Sequence, residues 1–516
     1  MLNLEKKFKN HLNNPMIYIF ILTVIYILVL IRTAWISDDA AITLRTILNF
    51  LHGFGPTFNI TERVQAYTHP LWFFILFLGS FISGNVFYTV FFTAITVSVL
   101  ALAFLLHSAS RNLWIIFFIS LSAFLSKAFI DFSTSGLENP ISHLLLFFAV
   151  SSAAINIEMR HKSLVRFFLI CSCVYLNRPD LIVLVFPLAA YLARQGMHNP
   201  KQLRTDLLFA TVPVIIWMTF SLFYYGFIFP NTAYAKLGTG IDIIERVIQG
   251  LRYFLHSIYT DPVTLFVIAS GLTIGLTSSH LSQLLSLGVI LYLAYILYIG
   301  GDFMEGRFLT APFFISLIVF SKEIKRESVA VFFTITVAIL GSVSIYPNLI
   351  AGSDYSNTTI AEDGIADERG FYFQRFGLLT ANEETFALPQ WTLYDRKVEV
   401  ICGGLGFSSI KQGPSVHHID TCALTDPLLA RLPAKKNPNW RIGHFYRQLP
   451  TNYKESIERD ENILTDLKTA HYWESIRTIT RGKLLDKNRI LEIFKLHLGL
   501  VEKPDLEMYK NENIPI

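Results

Sequence analysis

Long apolar runs alternate with short polar segments over residues 1–349. Most of these runs approach the roughly 20 residues that a helix needs to cross a bilayer, while those at 166–177 and 181–193 are shorter and share a proline. The pattern predicts eleven transmembrane spans, near 16–35, 86–106, 113–130, 140–156, 166–177, 181–193, 207–225, 262–280, 283–299, 308–321 and 327–349. A run at 71–81 follows a proline and is about half that length, so it predicts a helix lying in the membrane interface.

The composition agrees with a membrane protein. Of the 516 residues, 52% are hydrophobic and only 16% are charged, and the mean hydropathy is +0.45. A soluble core could not bury this much apolar surface. The net charge of +4 is spread along the chain, with no basic block interleaved with aromatics, so a nucleic-acid partner is disfavoured.

The positions of Lys and Arg predict the orientation in the membrane. With eleven spans, one side of the membrane collects the basic loop residues Lys6, Lys7, Lys9, Arg111, Arg160, Lys162, Arg166, Arg194, Lys201, Arg204, Lys322, Lys325 and Arg326. By the positive-inside rule this side is cytoplasmic. No small-residue cleavage site follows the first run, which predicts a retained anchor. The chain is therefore expected to be a multi-pass protein of the inner (plasma) membrane with a cytoplasmic N-terminus.

An odd number of spans places residues 350–516 outside the cytoplasm, as a periplasmic soluble domain after the transmembrane module 1–349. Alternating segments at 398–402 and 416–419 predict strands, and helical spacing at 455–470 and 487–500 predicts helices. The fold class expected is mainly α, with a small C-terminal α/β domain. The glycine-rich segment 403–406 lacks a nucleotide-binding spacing and is not expected between a strand and a helix, so it predicts a simple turn.

The four cysteines fall into two pairs. Cys402 and Cys422 lie in the predicted external domain, where an oxidising compartment would allow a disulfide. Two free thiols are the alternative there. Cys171 and Cys173 lie in a predicted span and are expected to be packing thiols.

Polar motifs concentrate in the predicted outer loops, the first of which spans 36–85. They are Ser37-Asp38-Asp39, Glu62-Arg63, Tyr67-Thr68-His69-Pro70, Ser135-Gly136-Leu137-Glu138, the segment 230–236 and the segment 300–307. Carboxylates next to a span are costly unless they have a role, so they indicate a site. A lipid phosphate would bind Lys or Arg, and a hydroxyl acceptor would need a carboxylate base.

These motifs, in this order, resemble the first outer loop of the C-type (GT-C) glycosyltransferases. More narrowly, they resemble the terminal arabinofuranosyltransferases, which use a polyprenyl-phosphate donor. The residues that carry the resemblance are Asp38-Asp39, Leu44-Arg45, Gly53-Phe54-Gly55, Phe58-Asn59, Glu62-Arg63-Val64 and the segment 67–72, then the segments 135–138, 177–180, 231–236, 301–307, 367–369 and 424–427. The resemblance therefore covers nearly the whole chain. His69 stands where the family pattern has Asn.

The resemblance implies an inverting transfer of a sugar, with arabinofuranose as the best match, to an acceptor hydroxyl at the outer face of the membrane. The expected partners are the lipid-linked donor, a glycan, glycolipid or protein acceptor, and membrane lipid. Asp38 is the expected base, and Asp39 would orient it or hold a divalent metal ion; no cofactor is otherwise implied. Residues expected on the donor-phosphate side are Lys236, Arg307, Arg178 and Tyr234, and the expected supporting residues are Glu138, Asp302, Arg45, His69 and Glu62.

Other interpretations stay open from the sequence alone. The adjacent acids could cap a helix, Lys236 and Arg307 could snorkel to the interface, and Arg178 could pair with Asp180. The chain could be a GT-C transferase with another sugar donor, acting on lipopolysaccharide or on a protein such as a pilin. A transporter of lipid-linked sugar is the alternative outside the enzymes, although no internal repeat is visible.

Overall fold

The computed structural model describes residues 14–109, 112–159, 163–344, 360, 362–435 and 440–510. The predicted domain boundary at 349 lies outside these ranges. So do several of the basic residues used to predict the orientation, namely Lys6, Lys7, Lys9, Arg111, Arg160 and Lys162.

Helices dominate the described chain. The first half contains α1 (Pro15–Thr33), α2 (Asp38–Leu51), α3 (Pro70–Ser83), α4 (Val86–Ser108), α5 (Leu113–Leu125), α6 (Lys127–Phe132), α7 (Asn139–Met159), α8 (Val165–Asn177), α9 (Leu181–Gly196), α10 (Pro200–Tyr224) and α11 (Asn231–Leu237). The second half contains α12 (Ile243–Thr260), α13 (Pro262–Leu276), α14 (His280–Ile299), α15 (Thr310–Glu323), α16 (Glu327–Val343), α17 (Glu368–Phe376), β1 (Lys397–Ile401), α18 (Leu405–Gln412), β2 (Val416–Asp420), α19 (Tyr453–Arg459), α20 (Leu467–Arg481) and α21 (Lys487–His497).

A helix lies at each of the eleven predicted span positions. Among the described residues, five helices are long and apolar enough to cross a membrane, namely α1, α4, α7, α10 and α14. A sixth span is obtained if α12 and α13, which meet at a bend of 110°, count as one. The protein is thus a mainly helical membrane protein, and the eleven-span topology stays a prediction. The apolar run at 71–81 forms the separate helix α3.

Residue contacts divide the chain into two compact units. Unit 1 consists of Met1–Ser37, Val90–Val212 and Ile243–Thr385, and unit 2 consists of Asp38–Thr89, Pro213–Asp242 and Phe386–Ile516. This grouping differs from a single break at 349, because most of the first outer loop and the segment around α11 pack with the C-terminal part of the chain. Most of the buried apolar side chains of unit 1 form one cluster between its helices.

Unit 2 contains a small parallel sheet. Strand β1 leads through α18 to β2, and the two strands pair from Lys397 with Val416 to Ile401 with Asp420. The predicted strand before segment 403–406 is present, but the expectation that the segment does not lie between a strand and a helix is wrong. Residues 403 and 404 are glycines with positive φ that turn the chain from β1 into α18, a conformation that glycine adopts without steric cost.

Two further features of unit 2 concern the predicted C-terminal domain. Cys402 and Cys422, which follow the two strands, form a disulfide with a Cα–Cα distance of 5.3 Å. The helix predicted over 455–470 is in fact two helices. Asp460, with φ of 55°, ends α19, and Asp466 caps α20 by accepting a hydrogen bond of 2.8 Å from the Thr469 N–H.

Arg45 holds α2 against the α18 region of unit 2. Its side chain is fully buried and donates hydrogen bonds to the carbonyl oxygens of Phe58 (2.9 Å), Gly413 (3.0 Å), Val416 (2.8 Å) and Ser409. Burial lowers the pKa of Arg45 to about 9. The guanidinium therefore ties the helix that begins at the acidic pair to both ends of the loop between α18 and β2.

We expect Arg45→Met to destabilise the protein by about 3 kcal/mol, because four buried carbonyl groups would lose a charged donor while the apolar volume is kept. Thermal unfolding of the purified protein in detergent, followed by tryptophan fluorescence, would show this as a lower Tm. Lys411→Met is the matched control, since Lys411 is exposed on α18. Equal Tm values for the two variants would contradict the anchoring role.

Candidate functional site

The segment between α1 and the acidic pair is held firmly within unit 1. The indole N–H of Trp35 donates a hydrogen bond of 2.7 Å to the carbonyl oxygen of Asp131. The N–H of Ser37 donates one of 2.9 Å to the carbonyl oxygen of Ser135. Both Trp35 and Ser37 are fully buried. The chain that leads into Asp38 is therefore fixed by contacts just before the predicted site.

Asp38 is the first residue of α2. Its carboxylate accepts hydrogen bonds from backbone N–H groups at the N-terminus of α18. The N–H groups of Gly406 and Phe407 each donate a hydrogen bond of 2.9 Å, one to each carboxylate oxygen. The positive end of a helix dipole favours a negative charge at this place. Glycine is required at 406, because a Cβ there would collide with the carbonyl oxygen of Asp38 and the side chain of Ala41.

The environment of Asp38 changes its proton affinity. Burial raises the pKa of Asp38 to about 6, the two backbone N–H groups oppose this rise, and the charges of Asp39 and Asp420 add to it. Asp38 is therefore ionised near neutral pH but binds a proton more readily than an ordinary aspartate. This is the behaviour required of a general base.

His444 lies close to Asp39 and to two cations, Lys236 and Arg441, which we call the cation cluster. Burial, followed by the charge of Arg441, lowers the pKa of His444 to about 4, while Asp39 raises it and Lys236 lowers it further. His444 is therefore neutral at pH 7. The carboxylate of Asp39 is half-buried and makes no hydrogen bond or ion pair with the described residues.

A buried arginine brings α11 and the His444 segment together. Arg447 donates hydrogen bonds to the carbonyl oxygens of Leu432 (2.9 Å) and Ala235 (2.5 Å), and Ala235 immediately precedes Lys236. Arg441 and His444 form a tight turn, closed by a hydrogen bond of 3.0 Å from the His444 N–H to the Arg441 carbonyl oxygen. Backbone contacts thus position the cation cluster.

Tyr234, the predicted donor-side tyrosine, lies on the same helix and packs against an arginine. The guanidinium carbon of Arg431 is 4.3 Å from the centre of the Tyr234 ring. At the start of α11, the Asn231 amide donates to the carbonyl oxygens of Ala423 (3.0 Å) and Asp426 (2.9 Å). Two of the motifs that carry the family resemblance therefore touch, while the role of Tyr234 stays a prediction.

Unit 1 brings together the other predicted residues in a buried ionic network. Arg178 pairs with Asp180 (2.7 Å) and Glu138 (3.5 Å), and Arg307 pairs with Glu138 (3.1 Å) and Asp302 (3.7 Å). The structural alternative for Arg178, a pair with Asp180, is therefore present. Two cations face three carboxylates in this network, so a phosphate would have to displace acidic partners. The donor-phosphate role of the two arginines stays a prediction.

The supporting residues of unit 2 make internal contacts. Glu62 is buried, pairs with Arg481 at 3.4 Å and accepts a hydrogen bond of 3.2 Å from Asn59; burial raises its pKa, and Arg481 opposes the rise. The Nε2 atom of His69 lies 3.1 Å from the hydroxyl oxygen of Thr43 on α2. These residues hold the first outer loop in place around the acidic pair.

The metal role predicted for Asp39 does not fit its surroundings. Over the described ranges, no group of three or more His, Cys, Asp or Glu side chains could hold a metal ion. Asp39 and two cations, Lys236 and Arg441, all act on the same histidine, His444, whereas a divalent cation requires several oxygen ligands.

Sequence reasoning missed Arg441 and His444. They lie in a stretch, 440–447, that contains none of the recognised motifs. A combination of Trp, Arg and His in the predicted external domain is a weak signal of binding. Their relation to Lys236 arises through tertiary contacts such as that of Arg447 with Ala235, so spacing along the chain could not have revealed it.

Comparison with known proteins supports the resemblance stated above. The chain is 27% identical over 405 residues to the terminal beta-(1->2)-arabinofuranosyltransferase of Mycobacterium tuberculosis, covering 66% of this chain and 63% of that protein. It is 26% identical over 337 residues to the protein of the same name from Corynebacterium glutamicum, covering 55% of this chain and 47% of that protein.

The matches thus span about half to under two thirds of the length of these relatives. No family model matches the chain, and no solved structure matches it. The resemblance to the terminal arabinofuranosyltransferases that the motifs predicted is confirmed by these two relatives.

Proposed function

We propose that this protein is an integral membrane glycosyltransferase that transfers a sugar, with arabinofuranose as the best match, from a polyprenyl-phosphate donor to an acceptor hydroxyl. The observation that carries the proposal is a pair of carboxylates beside a cation cluster in unit 2. Asp38 has a raised pKa, and Asp39 lies close to His444 together with Lys236 and Arg441. The two relatives named above support the reaction class and the sugar.

The roles of these groups follow from the chemistry of the transfer. Asp38 takes the proton of the acceptor hydroxyl as its oxygen attacks the anomeric carbon. The bond between that carbon and the phosphate oxygen breaks, and polyprenyl phosphate leaves with the electron pair. A single displacement of this kind inverts the anomeric centre. Because the leaving group is a phosphate, it needs positive charge rather than a general acid, and Lys236 and Arg441 supply that charge.

The proposal includes the location of the reaction. Eleven spans with a cytoplasmic N-terminus would place the first outer loop and residues 350–516 on the periplasmic side. A helix at every predicted span position supports this topology. The disulfide between Cys402 and Cys422 also supports it, because disulfides persist mainly in oxidising compartments.

The acidic pair is tested directly by transfer from synthetic polyprenyl-phosphate arabinofuranose. We expect wild-type protein to release polyprenyl phosphate in the presence of an arabinan acceptor. Asp38→Asn and Asp39→Asn should each lower kcat by about 10²-fold or more, the usual contribution of a general base and its immediate partner. Asp395→Asn, at an exposed position in unit 2, should leave kcat unchanged.

The Asn side chain at 38 keeps one oxygen that can accept a backbone N–H, so the fold should persist and the Tm should be checked for each variant. Normal turnover in a folded Asp38→Asn protein would remove the base assignment. Release of polyprenyl phosphate from a mannose-bearing donor alone would show that the transferred sugar is not arabinofuranose. No release from either donor by folded wild-type protein would overturn the proposed activity.

The pH dependence follows from the same carboxylate. We expect kcat/KM to fall about tenfold per pH unit below a midpoint near pH 6, as Asp38 takes up a proton. The folded-state pKa lies above the ordinary value, so Asp38 binds protons more tightly in the folded protein and acidification between about pH 4 and 6 does not destabilise the fold through this group. The loss should therefore occur without a fall in Tm. A midpoint near pH 4 would contradict the raised pKa.

Removing a charge from the cation cluster should weaken binding of the lipid donor. We expect Lys236→Gln and Arg441→Gln to raise KM for the lipid donor about tenfold each, the usual effect of removing one charge-assisted hydrogen bond. KM for the acceptor should stay constant. Lys397→Gln, at an exposed lysine of unit 2, is the control. An unchanged donor KM in both variants would show that the cluster does not bind the donor.

A further inference from the structure

A surface cavity of about 440 Å³ lies in unit 1 along α17 and the chain that follows it. Its lining includes three aromatic residues and three long polar side chains, namely Phe371, Tyr372, Phe376, Gln374, Arg375 and Asn382. Neither the acidic pair nor the ionic network around Arg178 contributes to it. Cavities of this size bind small organic ligands, and a short oligosaccharide is within that range.

One aromatic ring of the lining, that of Phe371, is exposed, while Tyr372 is half-buried and Phe376 is buried. Phe371 is 58% exposed, and its ring meets that of Tyr372 edge-on, with centroids 4.8 Å apart at 82°. The two rings form an apolar corner. An exposed aromatic side chain in such a corner gains free energy when a ligand covers it.

The polar part of the lining is available for binding. Gln374, Arg375 and Asn382 are exposed, and in the described part of the chain their side chains form no hydrogen bond or ion pair. Amide and guanidinium groups present paired donors and acceptors with fixed geometry. Adjacent hydroxyl groups of a sugar match such pairs.

The aromatic and polar side chains of the lining together favour a sugar as the ligand. A sugar ring has an apolar face of C–H groups and a rim of hydroxyls, which fit an aromatic corner next to amide and guanidinium groups. A lipid chain would leave the three polar side chains without partners, at a cost in free energy. A phosphate would meet only one cation, Arg375, and would leave both rings uncovered.

The cavity also lies on a firmly held part of unit 1. At the start of α17, Asp367 pairs with Lys127 at 3.0 Å and Arg369 pairs with Asp131 at 2.9 Å. At the end of α17, the Ile36 N–H donates a hydrogen bond of 3.1 Å to the carbonyl oxygen of Phe376. Ile36 precedes Asp38 by two residues in the chain.

We propose that this cavity binds the acceptor glycan, through stacking on Phe371 and hydrogen bonds to Gln374, Arg375 and Asn382. The inference rests on the proposed function, since it assigns the acceptor side of that reaction. It makes the start of the external domain an acceptor-binding element.

The test measures binding and turnover separately. Saturation-transfer NMR with a linear arabinofuranose oligosaccharide, without donor, should show contact with wild-type protein and about tenfold weaker binding to Phe371→Ala. In the transfer assay, Phe371→Ala and Asn382→Ala should raise KM for the acceptor with kcat and donor KM unchanged. Leu379→Ala is the control, because Leu379 is 65% exposed in the same segment but does not line the cavity.

The outcomes distinguish this inference from the proposed function. Wild-type transfer together with unchanged acceptor KM and unchanged oligosaccharide binding in both variants would overturn the cavity assignment alone. An absence of transfer would overturn the proposed function, while the binding measurement would still decide the cavity. If Phe371→Ala does not fold, Asn382→Ala provides the same comparison, since the Asn382 side chain is exposed and makes no contacts that the fold needs.

Discussion

Unit 2 depends on the contact between the Asp38 carboxylate and the N-terminus of α18. Two hydrogen bonds of 2.9 Å join residues that are 368 and 369 positions apart in the chain. Each charge-assisted bond contributes about 1.5–3 kcal/mol, which offsets part of the cost of burying the charge. The same burial raises the pKa of Asp38, so one contact both holds the fold together and prepares the carboxylate to accept a proton.

Other long-range contacts of unit 2 likewise join the first half of the chain to its C-terminal part. Arg45 binds carbonyl groups around α18, Asn59 exchanges hydrogen bonds of 3.1 and 3.0 Å with the His418 backbone, and Asn231 binds Ala423. In each case a segment from the first half of the chain relies on the C-terminal part for its buried partners. The acidic pair therefore depends on contacts with the C-terminal part of the chain, although the hydrophobic pattern separates that region as an independent domain.

The sequence predicted the helices well where long apolar runs define them, but not where tertiary contacts do. Helix α12 was missed because Glu245, Arg246 and Arg252 interrupt its apolar positions, which leaves an amphipathic helix and no continuous run. The strand before the glycine-rich turn is predicted, but the helix that follows it, α18, is not, because it has only 8 residues. The acidic pair could be predicted because carboxylates beside a span are rare. Arg441 and His444 could not, since only folding brings them to Asp39.

The distribution of charge explains why the cation cluster, rather than the arginine network of unit 1, suits the donor. Arg178 and Arg307 face three carboxylates, whereas the charges that act on His444 are one carboxylate, Asp39, and two cations, Lys236 and Arg441. In the proposed reaction, Asp38 loses its negative charge as it takes the acceptor proton, and the departing phosphate gains one. The total charge of the site stays constant while the negative charge moves toward the cations. An excess of positive charge there therefore stabilises the transition state more than the bound donor, which is the condition for raising kcat.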